Sequence, residues 1–222
     1  FHNPTGYLTS DDTKKQLCEI AQKEDLLIVE DATYSELYFD EDQPTPLYSI
    51  DNNERVIKMG TFSKIISTGI RVGWIQANED LIKAFSQTRF DMGNSPLIQR
   101  ALSLYISEGL LEPHVSVVRN IYKDKMEALT TNLIKNCDPY VEFYKPRGGF
   151  FLWVKIKGVT NKELTTEASN DGVIFPSGSL FYADRDETTW TEHVRMAYSR
   201  ASIDRITEAT VRLKSTFLRI VD

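Results

Sequence analysis

Four short motifs in the sequence hold the residue types that most readily do chemistry. Lys64 offers an amine that can act as a nucleophile or carry a proton, and Asp31 offers a carboxylate that can pair with a cation. Hydroxyl and guanidinium groups near the lysine can donate hydrogen bonds to a phosphate. In chain order, the motifs are Asn3-Pro4-Thr5-Gly6, Asp31-Ala32-Thr33-Tyr34, Thr61-Phe62-Ser63-Lys64 with Gly69-Ile70-Arg71-Val72-Gly73-Trp74, and Arg195-Met196-Ala197-Tyr198-Ser199.

The predicted strands put two of these motifs at one edge of a sheet. Leu26-Leu27-Ile28-Val29 is a short unbroken apolar run, typical of a strand buried on both faces, and Asp31 follows it. A second strand is predicted at residues 55–59, just before Lys64, and a third at residues 73–77. Open α/β sheets bind ligands beyond the carboxyl ends of their strands, so we expect Asp31 and Lys64 there.

Helical patterns occupy most of the remaining chain. Thr9 with Asp12 resembles the start of a helix over residues 10–25, in which Leu17, Ile20 and Ala21 follow helical spacing. A long amphipathic helix is predicted over residues 112–136. The other predicted elements are helices near residues 79–88, 95–108, 161–171 and 203–219, strands at 150–156 and 194–198, and a turn-rich stretch at 137–149. Strands that alternate with helices indicate an α/β architecture.

Composition argues against several classes of function. The 222 residues carry a formal net charge of -6 without a basic block, which argues against nucleic acid binding through this segment. No apolar run is long enough to span a bilayer, and the three histidines are too scattered for a metal site. Cys18 and Cys137 lie in helical patterns, which predicts reduced thiols and a cytoplasmic location. The first residues lack both an initiator methionine and a signal peptide, so we expect a start within a longer protein.

Jointly and in this order, the motifs resemble fold type I pyridoxal-phosphate-dependent aminotransferases of class I/II, over essentially the whole chain. Phe1-His2-Asn3-Pro4-Thr5-Gly6 and the run at residues 108–114 are similar to the aminoadipate and kynurenine aminotransferase branch. The resemblance implies an α/β fold with part of the large cofactor-binding domain, built on a mainly parallel sheet, at residues 1–111. A linking helix at 112–136 and a smaller α+β C-terminal domain at 137–222 would follow. It also implies a homodimer.

The resemblance implies catalytic roles for three residues. Lys64 matches the lysine that forms a Schiff base with pyridoxal 5'-phosphate and moves a proton as general base and acid. Asp31 matches the carboxylate that pairs with the protonated ring nitrogen and deepens the electron sink. Tyr34, together with Asn3, matches the donors to the phenolic oxygen of the cofactor.

The resemblance also implies binding roles. Thr61, Ser63 and Arg71 match the phosphate anchor, with Thr61 where the family more often has serine. Arg195 matches the arginine that binds the α-carboxylate of the substrate with two hydrogen bonds, and Asn3 belongs to the same substrate pocket. The implied reaction moves an amino group between an amino acid and a 2-oxo acid.

Plainer interpretations stay open for each motif taken alone. Lys64 can be a surface lysine after a strand, Asp31 a strand-end or helix-capping acid, and Arg195 half of a weak surface ion pair. A β-lyase is the alternative enzyme, because fold type I sites resemble one another across reactions. Two further alternatives are the aminotransferase-like sensor domain of a transcription regulator and a truncated, inactive product. We expect the isolated 222-residue chain to bind pyridoxal phosphate poorly.

Overall fold

The chain forms two compact units in a computed structural model that describes residues 1–40, 42–51, 54–88, 93–186 and 188–221. The first unit consists of Phe1 and Leu8–Arg119, and the second of His2–Tyr7 and Asn120–Asp222. The division falls inside the long helix that the sequence pattern indicates. The assignment of residues 1–111, 112–136 and 137–222 to a large domain, a linking helix and a small domain stays a prediction.

The first unit combines four helices with a three-stranded sheet. Its elements are helices α1 (Asp11–Lys23), α2 (Leu47–Ile50), α3 (Glu79–Thr88) and α4 (Pro96–Ser107), strands β1 (Ile28–Asp31), β2 (Val56–Thr61) and β3 (Gly73–Gln76), and a 3-10 turn at Thr68–Ile70. Strand β1 pairs with β2 in parallel, and β2 pairs with β3 antiparallel. The sheet is mixed because the chain between β2 and β3 is too short for the crossover that a parallel pair requires.

Helix α1 begins one residue later than the sequence pattern indicates. The hydroxyl of Ser10, not that of Thr9, accepts a hydrogen bond from the backbone N–H of Thr13 at 3.2 Å. A serine oxygen at this position satisfies one of the N–H groups that the first turn leaves unpaired. The buried face of the helix carries Cys18 and Ala21, whereas Leu17 and Ile20 are exposed.

The apolar run before Asp31 is not buried, which corrects the expectation of a strand covered on both faces. Leu26, Leu27 and Val29 are 52%, 54% and 58% exposed. Val29 lies on the sheet face that also carries Met59 and Ile75, and this face is open to solvent at all three residues. Strand β3, at the edge of the sheet opposite β1, is exposed along its whole length.

The core of the first unit lies between the helices α1 and α2 and the sheet. It contains Cys18, Leu47 and Val56, with Ile28, Tyr48 and Ile50 packed against them. The carboxylate of Glu30 accepts hydrogen bonds from the backbone N–H groups of Leu47 and Tyr48, at 2.7 and 3.0 Å. Strand β1 therefore also stabilises the first turn of α2, because a carboxylate is favourable at a helix N-terminus.

Helix α5 (Leu111–Cys137) is the longest helix and agrees with the predicted span of residues 112–136. Its buried side chains recur at helical spacing: Val115, Met126, Leu129, Leu133 and Cys137. Burial raises the pKa of the Cys137 thiol to about 12. Both cysteines are buried free thiols, as the composition predicts.

Over its described residues, the second unit combines an antiparallel sheet with two helices and the C-terminal part of α5. Its elements are strands β4 (Val141–Phe143), β5 (Phe151–Ile156) and β6 (His193–Ala197), helices α6 (Asn161–Asn170) and α7 (Ile203–Ile220), and a 3-10 turn at Gly178–Phe181. Strand β4 lies in the stretch that the sequence indicates as turns, because its three residues are too short for a clear alternating pattern. Central strand β5 buries alternate residues, Leu152, Val154 and Ile156.

Neither a membrane-spanning helix nor a metal-binding cluster occurs among the described residues. None of their helices combines the length and apolar character that a membrane crossing demands. They also contain no group of three or more His, Cys, Asp or Glu side chains arranged to bind a metal ion.

Candidate active site

The carboxylate of Asp31 is oriented by the turn that follows β1. Both the backbone N–H and the hydroxyl of Thr33 donate hydrogen bonds to Asp31 Oδ1, the first at 3.0 Å. The backbone of the next residue is fixed as well, because the N–H of Ala32 donates to the carbonyl of Met59 on β2 at 2.8 Å. Among the described residues, no hydrogen bond reaches Asp31 Oδ2, which can therefore accept one from a bound cationic group.

Lys64 and Tyr34 lie next to each other in the first unit, after β2 and β1 respectively. The Nζ atom of Lys64 is 6.0 Å from the centroid of the Tyr34 ring, at the outer limit of a cation–π contact. Lys64 is half-buried, and its amine makes no hydrogen bond or ion pair with any residue that the structure describes. An amine without a carboxylate partner is available to react with a carbonyl group.

A small turn carries Lys64 and keeps its backbone in place. The backbone N–H of Ser63 donates to the Thr61 hydroxyl at 3.1 Å, and the N–H of Ile66 donates to the carbonyl of Phe62 at 2.9 Å. The Thr61 hydroxyl in turn donates to the carbonyl of Val72 at 3.2 Å. A hydroxyl has a single hydrogen to donate, so Thr61 has to break this bond before it can donate to a phosphate.

Arg71 follows the 3-10 turn in a left-handed backbone conformation, with φ of 52°. Its side chain is exposed, and its described hydrogen bond is a long one of 3.4 Å to the carbonyl of Thr68. A guanidinium in this state can still bind an anion through its other N–H groups.

Two glycines beside this turn are required by close packing. A Cβ atom on Gly60 would lie 2.2 Å from the ring of Trp74, and one on Gly73 would lie 2.9 Å from the carbonyl oxygen of Gly60. Strands β2 and β3 therefore approach each other closely where they lead into and out of the Lys64 turn.

In the second unit, Arg195 binds Asn3 and lies between two aromatic rings. Its Nη1 donates a hydrogen bond to Asn3 Oδ1 at 2.8 Å. Its guanidinium carbon is 4.3 Å from the ring centroid of Phe151 and 4.5 Å from that of Phe181. Stacking of a planar cation on aromatic faces restricts its orientation. Because the carbonyl end of the Asn3 amide faces Arg195, its NH₂ end is the donor directed elsewhere.

The segment that carries Asn3 is held by its own backbone. The N–H of Gly6 donates to the carbonyl of His2 at 2.8 Å, and Gly6 has φ of 70°, a conformation that favours glycine. A Cβ atom at this position would also lie 2.7 Å from the carbonyl oxygen of Phe151. The glycine of the first motif is thus needed for both backbone conformation and packing.

The predicted site residues fall into two groups. The first unit contains Asp31, Tyr34, Thr61, Ser63, Lys64 and Arg71, and the second contains Asn3 and Arg195. Contacts bring together Lys64 with Tyr34 in the first unit and Arg195 with Asn3 in the second. That all eight surround one ligand stays a prediction. The sequence alone did not assign a site role to Phe151 or Phe181, although both belong to aromatic-rich runs that could have drawn attention.

Comparisons with known proteins show the family of the chain. The model of the aminotransferase class I and II family matches residues 1–213. Aromatic-amino-acid aminotransferase 1 of Thermococcus litoralis is 31% identical over 97% of this chain and 52% of its own length. An uncharacterized HTH-type transcriptional regulator of Bacillus subtilis, YdfD, is 32% identical over 96% of this chain and 44% of its own length.

Solved structures give the same result. The Pyrococcus horikoshii kynurenine aminotransferase, in complex with PMP, with KYN as substrates and KYA as products, superposes with a TM-score of 0.92 and 31% identity. The match covers 100% of this chain and 55% of that one. The chain thus spans about half the length of the relatives that it matches. The α/β fold class and the resemblance read from the motifs are confirmed, and the chain belongs to the class I and II aminotransferase family.

Proposed function

We propose that the full-length protein is a pyridoxal-phosphate-dependent aminotransferase that moves an amino group between an amino acid and a 2-oxo acid. The observation that carries the proposal is the Lys64 amine, which lies beside Tyr34 without an ion-pair partner among the described residues. Membership of the aminotransferase family supports the same reaction.

The side chains present fit this cofactor. Pyridoxal phosphate offers an aldehyde, a ring nitrogen that is protonated when bound, and a phosphate, and it supplies an electron sink. The first unit offers an amine at Lys64, an unengaged carboxylate oxygen at Asp31 and an exposed guanidinium at Arg71. The Ser63 hydroxyl makes no described hydrogen bond and can add a donor to the phosphate.

Each proposed site residue of the first unit has a role that follows from its chemical group. Lys64 would hold the cofactor through its aldehyde and, once the substrate amine has freed it, would move a proton of the substrate's α-carbon as general base and acid. A positioned proton carrier of this kind contributes typically about 10²- to 10⁴-fold in rate. Asp31 Oδ2 would keep the ring nitrogen protonated through an ion pair. The Tyr34 hydroxyl would be a donor for the phenolic oxygen.

The residues of the second unit bind the substrate. Arg195 provides a planar cation for the α-carboxylate, and the rings of Phe151 and Phe181 restrict the plane in which it can do so. Asn3 supports the guanidinium with its Oδ1 atom, which leaves its NH₂ group as a hydrogen-bond donor. A carboxylate so held would restrict the orientation of the substrate's α-carbon.

The test uses the purified full-length protein with pyridoxal phosphate and borohydride, which reduces the bond between a lysine and the cofactor. We expect mass spectrometry to find the reduced cofactor on Lys64, none on a Lys64→Ala variant, and normal labelling in Lys83→Ala, whose lysine is an exposed residue of α3. A label on another lysine, or none on the wild type, contradicts the proposal.

Substrate class is tested with the same protein. The relatives' names point to aromatic amino acids and kynurenine as the first amino donors to try, and the resemblance of the sequence adds 2-aminoadipate. Product analysis separates the two enzyme readings, since a transaminase yields a 2-oxo acid and the aminated cofactor, whereas a β-lyase yields ammonia and pyruvate. Absence of any product with the whole panel argues against both.

A second candidate function is the sensor domain of a transcription regulator, favoured by the 32% identity to the YdfD regulator of Bacillus subtilis. In that case the same lysine binds the cofactor without turnover. A DNA-binding assay on the full-length protein, with and without pyridoxal phosphate, decides between the two. Specific DNA binding without transamination replaces the enzyme proposal, and transamination without DNA binding upholds it.

A further inference from the structure

His114, on the first turns of α5, binds the backbone next to Lys64. Its Nε2 lies 2.8 Å from the carbonyl oxygen of Ile65, a buried residue. A carbonyl can only accept, so Nε2 carries the hydrogen in this contact. The ring of Tyr105 on α4 meets the imidazole edge-on at 6.3 Å between centroids. The imidazole is thus held on one side by helix packing and directed at the Lys64 turn.

Further along its length, helix α5 also binds the turn that follows β1. Nε of Arg119 donates to the carbonyl oxygen of Glu36 at 2.7 Å, two residues after Tyr34. Nη1 of Arg119 binds Glu112 at 2.7 Å, and its guanidinium stacks on the Tyr38 ring at 3.9 Å. The side chain is 13% exposed, so these contacts lie largely out of solvent.

Helix α5 therefore binds one backbone carbonyl in the Lys64 turn and one in the turn after β1. His114 and Arg119 are five positions apart on the helix, a rise of about 7.5 Å between their Cα atoms. Neither His114 nor Arg119 needs to touch a ligand for this effect. The pairing of β1 with β2 sets the spacing of the two turns, and His114 and Arg119 each tie a further backbone carbonyl of one turn to the same helix.

We propose that His114 is a positioning residue for Lys64, and that Arg119 does the same for the segment of Asp31 and Tyr34. The inference rests on the proposed function, because it concerns the residue that bonds the cofactor. Loss of the imidazole leaves the Ile65 carbonyl without this donor, and the Lys64 turn then samples more conformations. A displacement of about 1 Å of a reacting group can cost about 10²-fold in rate.

The experiment compares three variants of the full-length protein. His114→Leu removes the donor, His114→Gln keeps a side-chain N–H that can reach a carbonyl, and Leu102→Ala truncates a buried side chain of α4, a helix of the same unit that carries neither turn. The first readout, made without cofactor, is amide hydrogen exchange of residues 62–66. We expect faster exchange in His114→Leu, recovery in His114→Gln and no change in Leu102→Ala.

The second readout is kinetic. In His114→Leu we expect kcat to fall about 10- to 100-fold with less than about a threefold change in KM, and His114→Gln to recover most of it. Equal loss in Leu102→Ala, or wild-type exchange and kinetics in His114→Leu, overturns the inference. If borohydride fails to label Lys64 in the wild type, the proposed function itself fails, and the exchange readout still reports on the turn.

Discussion

At the scale of single residues, the chemistry depends on which polar atoms are already engaged. Asp31 uses Oδ1 for Thr33, Arg195 uses Nη1 for Asn3, and Thr61 uses its hydroxyl hydrogen for the carbonyl of Val72. The motifs name the residue types for a cofactor site but cannot tell which atoms local turns have taken up. That information requires the folded backbone.

The free oxygen of Asp31 leads to a prediction about charge. Asp31→Asn keeps the shape and the bonds to Oδ1 but loses the negative charge that pairs with the ring nitrogen. We expect kcat/KM of the full-length protein to fall by about 10²- to 10³-fold, the usual cost of removing one group that stabilises charge in a transition state. Steady-state kinetics measure the change, with Asp12→Asn on the exposed face of α1 as the control. Equal activity of both variants would contradict the role of Asp31.

At the scale of elements, the longer helices and their order could be predicted, whereas the four-residue helix α2 and the exact packing could not. Apolar periodicity located α5 within a residue at each end, since 27 helical residues repeat the pattern many times. Strand β4, with three residues, offers too few repeats and becomes visible only through its pairing with β5. The contacts of His114 and Arg119 join residues 49 and 83 positions apart, and no local pattern encodes such separations.

The start of α1 provides a matched pair of variants. Ser10→Ala removes the hydroxyl that accepts from Thr13, and we expect it to lower the free energy of unfolding by about 1 kcal/mol. Thr9→Ala, one residue earlier, is expected to change it by less than about 0.5 kcal/mol. Urea denaturation followed by circular dichroism measures both. A larger effect at Thr9 would indicate that Thr9 caps the helix, as the sequence pattern suggested.

The close approach of β2 and β3 provides a second pair. Gly60→Ala places a methyl group 2.2 Å from the Trp74 ring, and the required shift of the ring is expected to cost about 1–3 kcal/mol of stability. Gly69→Ala, whose nearest neighbour is the Ser67 hydroxyl at 3.7 Å, is expected to stay within about 0.5 kcal/mol of wild type. Thermal unfolding of both proteins measures the difference. Similar melting temperatures for the two variants would show that the strands separate easily.

At the scale of the whole molecule, the first unit exposes apolar surface that a folded domain normally covers. Val29, Met59 and Ile75 alternate onto one face of the sheet by the pairing register and are 58%, 36% and 47% exposed. Edge strands with exposed apolar side chains pair readily with other chains. This surface explains why the sequence pattern indicated a buried strand, because the apolar run is suited to a covered position.

The exposed sheet predicts the behaviour of the isolated 222-residue chain. We expect it to associate, eluting above its 25.4 kDa mass in size-exclusion chromatography with light scattering. Val29→Lys combined with Ile75→Lys is expected to reduce association, because charges on edge strands oppose pairing. The control is Val211→Lys combined with Val117→Lys, which changes two exposed helix positions. A monomeric wild-type chain would contradict the prediction.

The burial of Cys18 and Cys137 has a practical use in spectroscopy. Burial raises the pKa of both thiols, so at neutral pH they stay protonated and react slowly with maleimides. A new cysteine on an exposed helix position of each unit can then carry a dye or a spin label without removal of the native pair. Resonance energy transfer between two such labels would follow the distance between the units directly, with amino donor added or withheld.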